Sequence, residues 1–163
     1  MPLIPFSSVR RWMFDQALPV WAERVIIGLL WLGLLNLHNF MDGIDGITAT
    51  QTISVCLGVL AVVFAASLPA GLGLDAGVIL MAALGFLVWN LPPARIFLGD
   101  AGSIPLGFLI FYLLLKLAEQ GYWAAALILP LYYLMDGGLT LLSRLIRGKR
   151  IWEGHREHFY QKA

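Results

Sequence analysis

The sequence predicts an all-α fold: a polytopic membrane helix bundle of about five transmembrane helices, with polar loops that carry the functional residues. The 163 residues are 60% hydrophobic and only 13% charged, with a mean hydropathy of +0.80. A soluble domain is about 45–50% apolar and about 25% charged. The apolar residues also fall in long runs, which an unusually hydrophobic soluble helical protein does not need. The net charge of +1 gives no electrostatic reason to expect a nucleic-acid partner.

Five apolar segments approach the roughly 20 residues that a membrane-spanning helix needs. The first four cover about 19–38, 47–68, 74–89 and 103–118. The fifth, about 122–146, is long enough to tilt or kink and contains Pro130. Short loops rich in glycine, proline and aspartate separate these segments. The single cysteine, Cys56, lies within an apolar run, where packing is its expected role.

Five spans place the loop after the first span, the loop after the third and the C-terminal tail on one side of the bilayer. The chain from residue 143 onward carries six arginines and lysines, and such a cluster beside the last span marks the cytoplasmic side. It outweighs Arg10, Arg11 and Arg24 on the opposite side. We therefore expect residues 1–18 to be interfacial or periplasmic, residues 19–146 to form the bundle, and residues 147–163 to form a cytoplasmic basic tail.

Four polar side chains recur at every third residue where the first span ends, in NLHNFMDGIDG: Asn36, Asn39, Asp42 and Asp45. Positions three apart drift around a regular helix, so the four cannot share one face. Gly43 and Gly46 allow the backbone to leave the helix. Because carboxylates are costly inside a bilayer, an interfacial loop is expected. The alternative is a polar turn whose aspartate caps the next helix, but two asparagines and two aspartates at fixed spacing favour a functional site.

The second polar stretch, NLPPARIFLGDAGS, separates the third and fourth spans. Pro92 and Pro93 end the preceding span, and Ser103 is expected to cap the next helix. Asp100, flanked by two glycines, then lies at a helix N-terminus, which favours phosphate. A carboxylate there can share Mg²⁺ with phosphate oxygens. The alternative is a capped interhelical loop without function.

The basic tail contains His155 and His158 on either side of Arg156. Arginine offers a fork of donors to phosphate, and histidine can donate or accept near neutral pH. The two histidines are an incomplete zinc set. A basic tail beside a membrane is also a common topology signal or headgroup contact, so its function is open at this point.

Asp136 lies inside the fifth span, in YYLMDGGLT. An ionisable residue within a membrane segment is a functional candidate, although pairing with Arg144 is an equal alternative. The adjacent Gly137 and Gly138 suggest a local break or a close helix approach. His38, alone near a helix end, is interpreted as structural.

Acidic residues suited to a hard divalent ion, donors suited to phosphate and an adjacent bilayer occur together in this chain. This inventory favours phosphoryl transfer between a soluble nucleotide-linked donor and a lipid acceptor, in which positioning and charge neutralisation supply most of the catalysis.

Three motifs, NLHNFMDGIDG, FLGDAGS and RGKRIWEGHREHFYQKA, in this order resemble the polyprenyl-phosphate N-acetylhexosamine-1-phosphate transferase superfamily. It includes the phospho-MurNAc-pentapeptide translocase, and the tail is most similar to the glycosyltransferase family 4 branch. The resemblance implies transfer of a sugar 1-phosphate from a UDP-N-acetylhexosamine to undecaprenyl phosphate, with release of UMP and with Mg²⁺ or Mn²⁺. It implies the cytoplasmic face of the bacterial inner membrane, and the initiation of a cell-wall, O-antigen or other lipopolysaccharide-type polymer. The sugar and the oligomeric state are open, with a homodimer as one option.

Motif matching to this family implies roles for individual residues. The catalytic set is Asp42, Asp45, Asp100, His155 and His158, of which Asp100 and Asp42 are the metal ligands. The substrate-binding set is Asn36, Asn39, Asn90, Phe97, Gly99, Ser103 and Arg156. Asn90 and Phe97 match the positions that hold the uracil ring.

The family also carries an upstream DDxxD motif and usually about ten or eleven spans, whereas this chain has no DD pair. We therefore expect it to correspond to the C-terminal half of such an enzyme, inactive alone or active only when a partner supplies the missing half. Two other classes are open. A non-catalytic membrane homologue that binds a lipid phosphate or helps assembly tolerates alanine at Asp42, Asp45 and Asp100, whereas a small transporter using Asp136 needs a polar stripe across the membrane.

Overall fold

The computed structural model describes residues 19–148, and all regular elements in that range are helices. Six of them follow one another: α1 Val20–Phe40, α2 Ile47–Ala65, α3 Ala70–Asn90, α4 Gly99–Glu119, α5 Trp123–Ile128 and α6 Leu131–Ile146. The predicted all-α bundle is confirmed.

Three helices, α2, α3 and α4, are long and apolar enough to cross a membrane, with mean hydropathies of 2.0, 2.0 and 1.8. The apolar part of α1, Arg24–Phe40, is shorter. Helix α3 begins at Ala70, earlier than the expected residue 74, because Pro69 supplies an extended residue from which the helix starts. The third span is therefore a full 21-residue helix rather than a short one.

The fifth predicted span is divided at Pro130 into α5 and α6. Proline has no N–H to donate and its ring obstructs the preceding turn, so a helix breaks or kinks there. The carbonyl of Pro130 accepts the Leu134 N–H at 3.1 Å, which starts the next helical segment. The kink expected from the sequence is thus a break between two helices.

The apolar core lies mainly between α2, α3 and α4. Helices α2 and α3 pack as a hairpin, α1 packs along α4, and α4 also contacts α2, α3 and α5. Val55, Cys56, Val59 and Leu113 are almost completely buried in this core. The predicted packing role of Cys56 is confirmed.

Two glycines permit close contacts of α1 with its neighbours. A Cβ atom at Gly107 of α4 would lie 2.9 Å from the Cβ of His38 and 3.4 Å from the Cα of Leu35. A Cβ at Gly137 of α6 would overlap the Cδ1 of Leu37. The close approach predicted beside Asp136 is therefore confirmed, whereas the alternative of a local break is wrong because α6 is continuous there.

Gly107→Ala is expected to destabilise the chain, because its methyl group meets atoms close to the α1 backbone that cannot move freely. Gly33→Ala is the matched control, since nothing lies within 4 Å of the added atom. Alanine at a helical glycine should raise the free energy of unfolding by about 1 kcal/mol when space is free. In detergent solution we expect Gly107→Ala to lower Tm and Gly33→Ala to raise it. Equal stabilisation by both substitutions would show that α1 and α4 do not pack this closely.

Candidate active site between two interhelical loops

Residues 41–46, between α1 and α2, and residues 91–98, between α3 and α4, meet at one end of the bundle. The backbone N–H of Gly46 donates to Oδ1 of Asn90 at 2.9 Å. The N–H of Ala94 donates to Oδ2 of Asp45, also at 2.9 Å. Nδ2 of Asn90 donates to the carbonyl of Ile96 at 2.9 Å, which holds the second loop in shape. The two loops predicted to share a surface therefore do so, whereas the tail from residue 149 lies outside the described residues.

The first loop leaves α1 much as the sequence predicts. Helix α1 ends at Phe40, so Asn39 lies on its last turn, and the Asp42 N–H donates to the Asn39 carbonyl at 3.2 Å. Gly46 has φ +78°, a left-handed conformation that glycine adopts without strain, and it starts α2. Gly43 does not lie in this region of φ. The turn predicted for two glycines thus depends on Gly46.

The second loop ends earlier than expected. Leu91, before the prolines, is extended with ψ 145°, and Gly99 turns the chain into α4 with φ +58°. Ser103 is consequently buried inside α4, and its Oγ donates to Oδ1 of Asn39. The prediction that Ser103 caps this helix is wrong, because Leu98 is the N-cap residue. Asp100 lies in the first turn of α4, where the helix dipole favours a negative charge.

An open pocket of about 220 Å³ lies between the two loops. Its lining consists of Asp42, Gly43, Ile44, Asp45, Asn90, Phe97, Leu98 and Gly99. The structure thus brings together five of the candidate residues: Asp42, Asp45, Asn90, Phe97 and Gly99. The Phe97 ring is 75% exposed and can offer a face to a planar ligand.

The other candidates lie elsewhere. The side chains of Asn39 and Ser103 are hydrogen-bonded to each other and do not line the pocket. Asn36 is exposed on α1 and outside the lining. His155, Arg156 and His158 fall outside the described residues.

The carboxylates of Asp42 and Asp100 interact electrostatically. Partial burial raises the pKa of Asp42, a hydrogen bond with Thr48 lowers it in part, and the negative charge of Asp100 raises it again. Within residues 19–148, no group of three or more histidine, cysteine or acidic side chains could hold a metal ion. Two carboxylates nevertheless fit Mg²⁺, which proteins often hold through one or two carboxylates and substrate phosphates. The two predicted metal ligands, Asp42 and Asp100, would therefore need a phosphorylated ligand to complete the coordination of an ion.

The raised pKa of Asp42 predicts a pH-dependent effect of Asp42→Asn. The pKa of the Asp42 carboxyl is higher in the folded state than in the unfolded state, where it is about 3.9. The carboxyl therefore makes its full contribution to stability below the unfolded pKa, and this contribution is lost as pH rises through the folded pKa. The asparagine variant should therefore have a higher Tm than the unsubstituted chain at pH 7, with the difference vanishing near pH 3.5. Asp75→Asn, at the other end of the bundle, controls for the loss of a charge. An unchanged Tm at pH 7 would contradict the prediction.

Two polar groups near the site do not line the pocket. His38 is buried, its Nε2 has no hydrogen-bond partner within residues 19–148, and its ring lies 5.1 Å from that of Tyr133. Asp136 is buried on α6, where Thr140 donates to its Oδ1 at 3.4 Å. Burial of His38 agrees with a structural interpretation.

Sequence reasoning missed the bonds that assemble the site. Asn90 was expected only as a ligand-binding residue, yet its amide oxygen and nitrogen both bond to the backbone of the loops. No sequence pattern marks Tyr133, whose hydroxyl lies 3.2 Å from Oγ1 of Thr48 on α2. The signal for Asn90 was available: a polar amide directly at the end of an apolar helix must find partners when buried.

The family model of Glycosyl transferase family 4 matches residues 3–118. Phospho-N-acetylmuramoyl-pentapeptide-transferase of Chlamydia muridarum (strain MoPn / Nigg) is 36% identical over 118 residues, which cover 70% of this chain and 32% of that relative. The protein of the same name from Bacillus thuringiensis (strain Al Hakam) is 32% identical over 100 residues, covering 61% and 31%. The chain thus spans about a third of the length of these relatives. No solved structure matches the chain.

Proposed function

The chain belongs to glycosyl transferase family 4, and from this premise we propose that its pocket takes part in phosphosugar transfer to a membrane lipid. The donor is a UDP-N-acetylhexosamine and the acceptor is undecaprenyl phosphate. The observation that carries the proposal is the pocket itself. Two aspartates and an exposed phenylalanine, Asp42, Asp45 and Phe97, line it at the end of membrane-length helices, and Asp100 is close enough to influence Asp42.

The proposed reaction is a displacement at phosphorus. An oxygen of the lipid phosphate attacks the sugar-bearing phosphorus of the donor and forms a new P–O bond. The bond from that phosphorus to the bridging oxygen breaks, and UMP leaves with the electron pair. Catalysis of this class depends mainly on positioning and on stabilisation of charge.

Each described residue has a part in this proposal. Asp42 and Asp100 would hold Mg²⁺ or Mn²⁺, which when bound would neutralise charge on the diphosphate. Asp45 keeps the two loops together through Ala94. The exposed ring of Phe97 stacks on the uracil base. The family resemblance assigns His155, Arg156 and His158, which lie outside the described residues, to the diphosphate or the sugar.

We further propose that the loops face the cytoplasm of a bacterium and that the membrane is the inner membrane. The support is a count of five spans, in which α1 is taken as one span and α5 with α6 as another, and the six arginines and lysines from residue 143 onward. The soluble nucleotide donor is then available to the pocket, and the lipid acceptor reaches it from the bilayer.

A binding and a turnover assay test the function. UDP-GlcNAc should bind to purified residues 1–163 in the presence of Mn²⁺, as measured by titration calorimetry. Because the chain has no DD pair, we expect no UMP release with undecaprenyl phosphate until a polypeptide carrying the DDxxD half of a relative is added. Robust turnover by residues 1–163 alone would refute the need for that half. The transferase proposal would be refuted if the mixture showed no UDP-GlcNAc binding and no turnover. Binding that tolerates alanine at Asp42, Asp45 and Asp100 would favour a non-catalytic homologue.

A further inference from the structure

The second loop carries an exposed apolar surface around one arginine. We name it the Trp89 patch; its members are Trp89, Leu91, Arg95 and Ile96. The three apolar side chains are between 43% and 53% exposed. The N–H groups of Arg95 and Ile96 donate to the Trp89 carbonyl at 2.8 and 3.3 Å, which folds the loop back against the end of α3. The Arg95 guanidinium lies 5.9 Å from the centroid of the Trp89 ring.

The Trp89 patch continues an exposed apolar stripe along α3. Leu74, Val78, Met81 and Val88 are each more than 60% exposed and recur at the spacing of one helix face. Helix α3 is long and apolar enough to cross a membrane, so this stripe suits contact with lipid chains. Tryptophan favours the boundary between the lipid chains and water, and Trp89 lies where the stripe ends. The patch is therefore expected at the level of the lipid headgroups.

The charge of the Trp89 patch indicates what it contacts there. Arg95 is exposed, and its side chain has no interaction within residues 19–148 other than that with the Trp89 ring. A guanidinium offers several donors in a plane that matches phosphate oxygens. The stacked ring keeps this group beside the loop, where a phosphate at headgroup depth can meet it.

We propose that the Trp89 patch docks on the membrane surface and that Arg95 binds the phosphate of an anionic phospholipid. This contact is distinct from the lipid acceptor of the proposed reaction, because it requires no sugar donor and no metal ion. A soluble protein partner is disfavoured because the patch continues the membrane-facing stripe of α3. The lipid contact would anchor the loop that bears Phe97 and leads into the first turn of α4, where Asp100 lies.

Lipid binding to the detergent-solubilised full chain tests this proposal by native mass spectrometry. Phosphatidylglycerol and phosphatidylcholine are titrated separately, and apparent dissociation constants are compared between variants. Arg95→Gln should weaken phosphatidylglycerol binding about five-fold, the effect expected for one basic side chain at a lipid surface, and leave phosphatidylcholine binding unchanged. Trp89→Leu should cause a smaller loss, since the apolar contact stays while the ring beside Arg95 is removed.

Arg24→Gln is the matched control, because Arg24 is an exposed arginine near the start of α1, at the opposite end of the bundle. It should keep the affinity of the unsubstituted chain for phosphatidylglycerol. Equal losses in Arg24→Gln and Arg95→Gln, or no loss in Arg95→Gln, would overturn the proposal. Displacement of phosphatidylglycerol by UMP in the unsubstituted chain, absent in Arg95→Gln, would also overturn it, because Arg95 would then bind a nucleotide phosphate. Neither lipid result depends on turnover, so failure here is distinguishable from failure of the transferase proposal.

Discussion

Asp100→Asn is expected to weaken Mn²⁺ binding in the presence of UDP-GlcNAc by at least about 100-fold. Even changes to residues that only support metal ligands cost about 10–100-fold in affinity, and Asp100 is proposed to touch the ion. Its side chain is exposed in the first turn of α4, so asparagine should fit without disturbing the helix. Loss of a favourable charge near the helix N-terminus costs only about 0.3–1 kcal/mol. Free Mn²⁺, counted by electron paramagnetic resonance during a titration, measures the effect.

Asp75→Asn is the matched control for this experiment. Asp75 lies on α3 at the other end of the bundle, where the Tyr112 hydroxyl donates to it at 3.4 Å. Its replacement should leave Mn²⁺ affinity unchanged. Asp42→Asn should resemble Asp100→Asn, and the double variant should lose less than the sum, because both carboxylates hold one ion. Additive losses, or equal losses in the Asp75 control, would show that the two aspartates do not share a site.

The helices could be predicted from the sequence because each apolar run is long and ends at polar or glycine-containing segments. Their exact starts could not, and α4 shows why. Ser103 is an acceptable N-cap by residue type, but Gly99 can take a left-handed φ and starts the helix earlier. Burial then gives the Ser103 hydroxyl a partner on another helix, Asn39. A tertiary contact thus decided between two locally acceptable starts.

Five residues that line the pocket could be named from the sequence, but the hydrogen bonds that assemble it could not. Counting spans was enough to place the two loops at one end of the bundle. The pairs Gly46 with Asn90 and Asp45 with Ala94 join residues more than 40 positions apart, and no local pattern encodes such pairings. The period-three row also includes Asn36, which lies exposed on α1 and outside the pocket because the helix continues through it.

Asn90→Leu is expected to lower the free energy of unfolding by about 1–3 kcal/mol, the cost of leaving a buried donor unpaired. Leucine has a similar size but cannot accept the N–H of Gly46 or donate to the carbonyl of Ile96. Gly46 is buried, so water cannot easily replace the lost acceptor. The loops should separate, and UDP-GlcNAc binding should fall with stability. Thermal unfolding measures the loss of stability, and hydrogen exchange at the Gly46 amide measures the separation of the loops.

The same experiment separates two roles for Asn90. If Asn90 acts by holding the loops, Asn90→Leu should speed exchange at Gly46 even without ligand, and Asn90→Asp, which keeps the acceptor, should protect that amide better. If Asn90 acts only by contact with the uracil ring, as the family resemblance implies, ligand binding should fall while stability and exchange stay unchanged. Asn36→Leu controls for the substitution itself, since Asn36 is exposed on α1. The buried position of Asn90 and its two backbone bonds favour the first outcome, in which the pocket depends on this side chain before any ligand arrives.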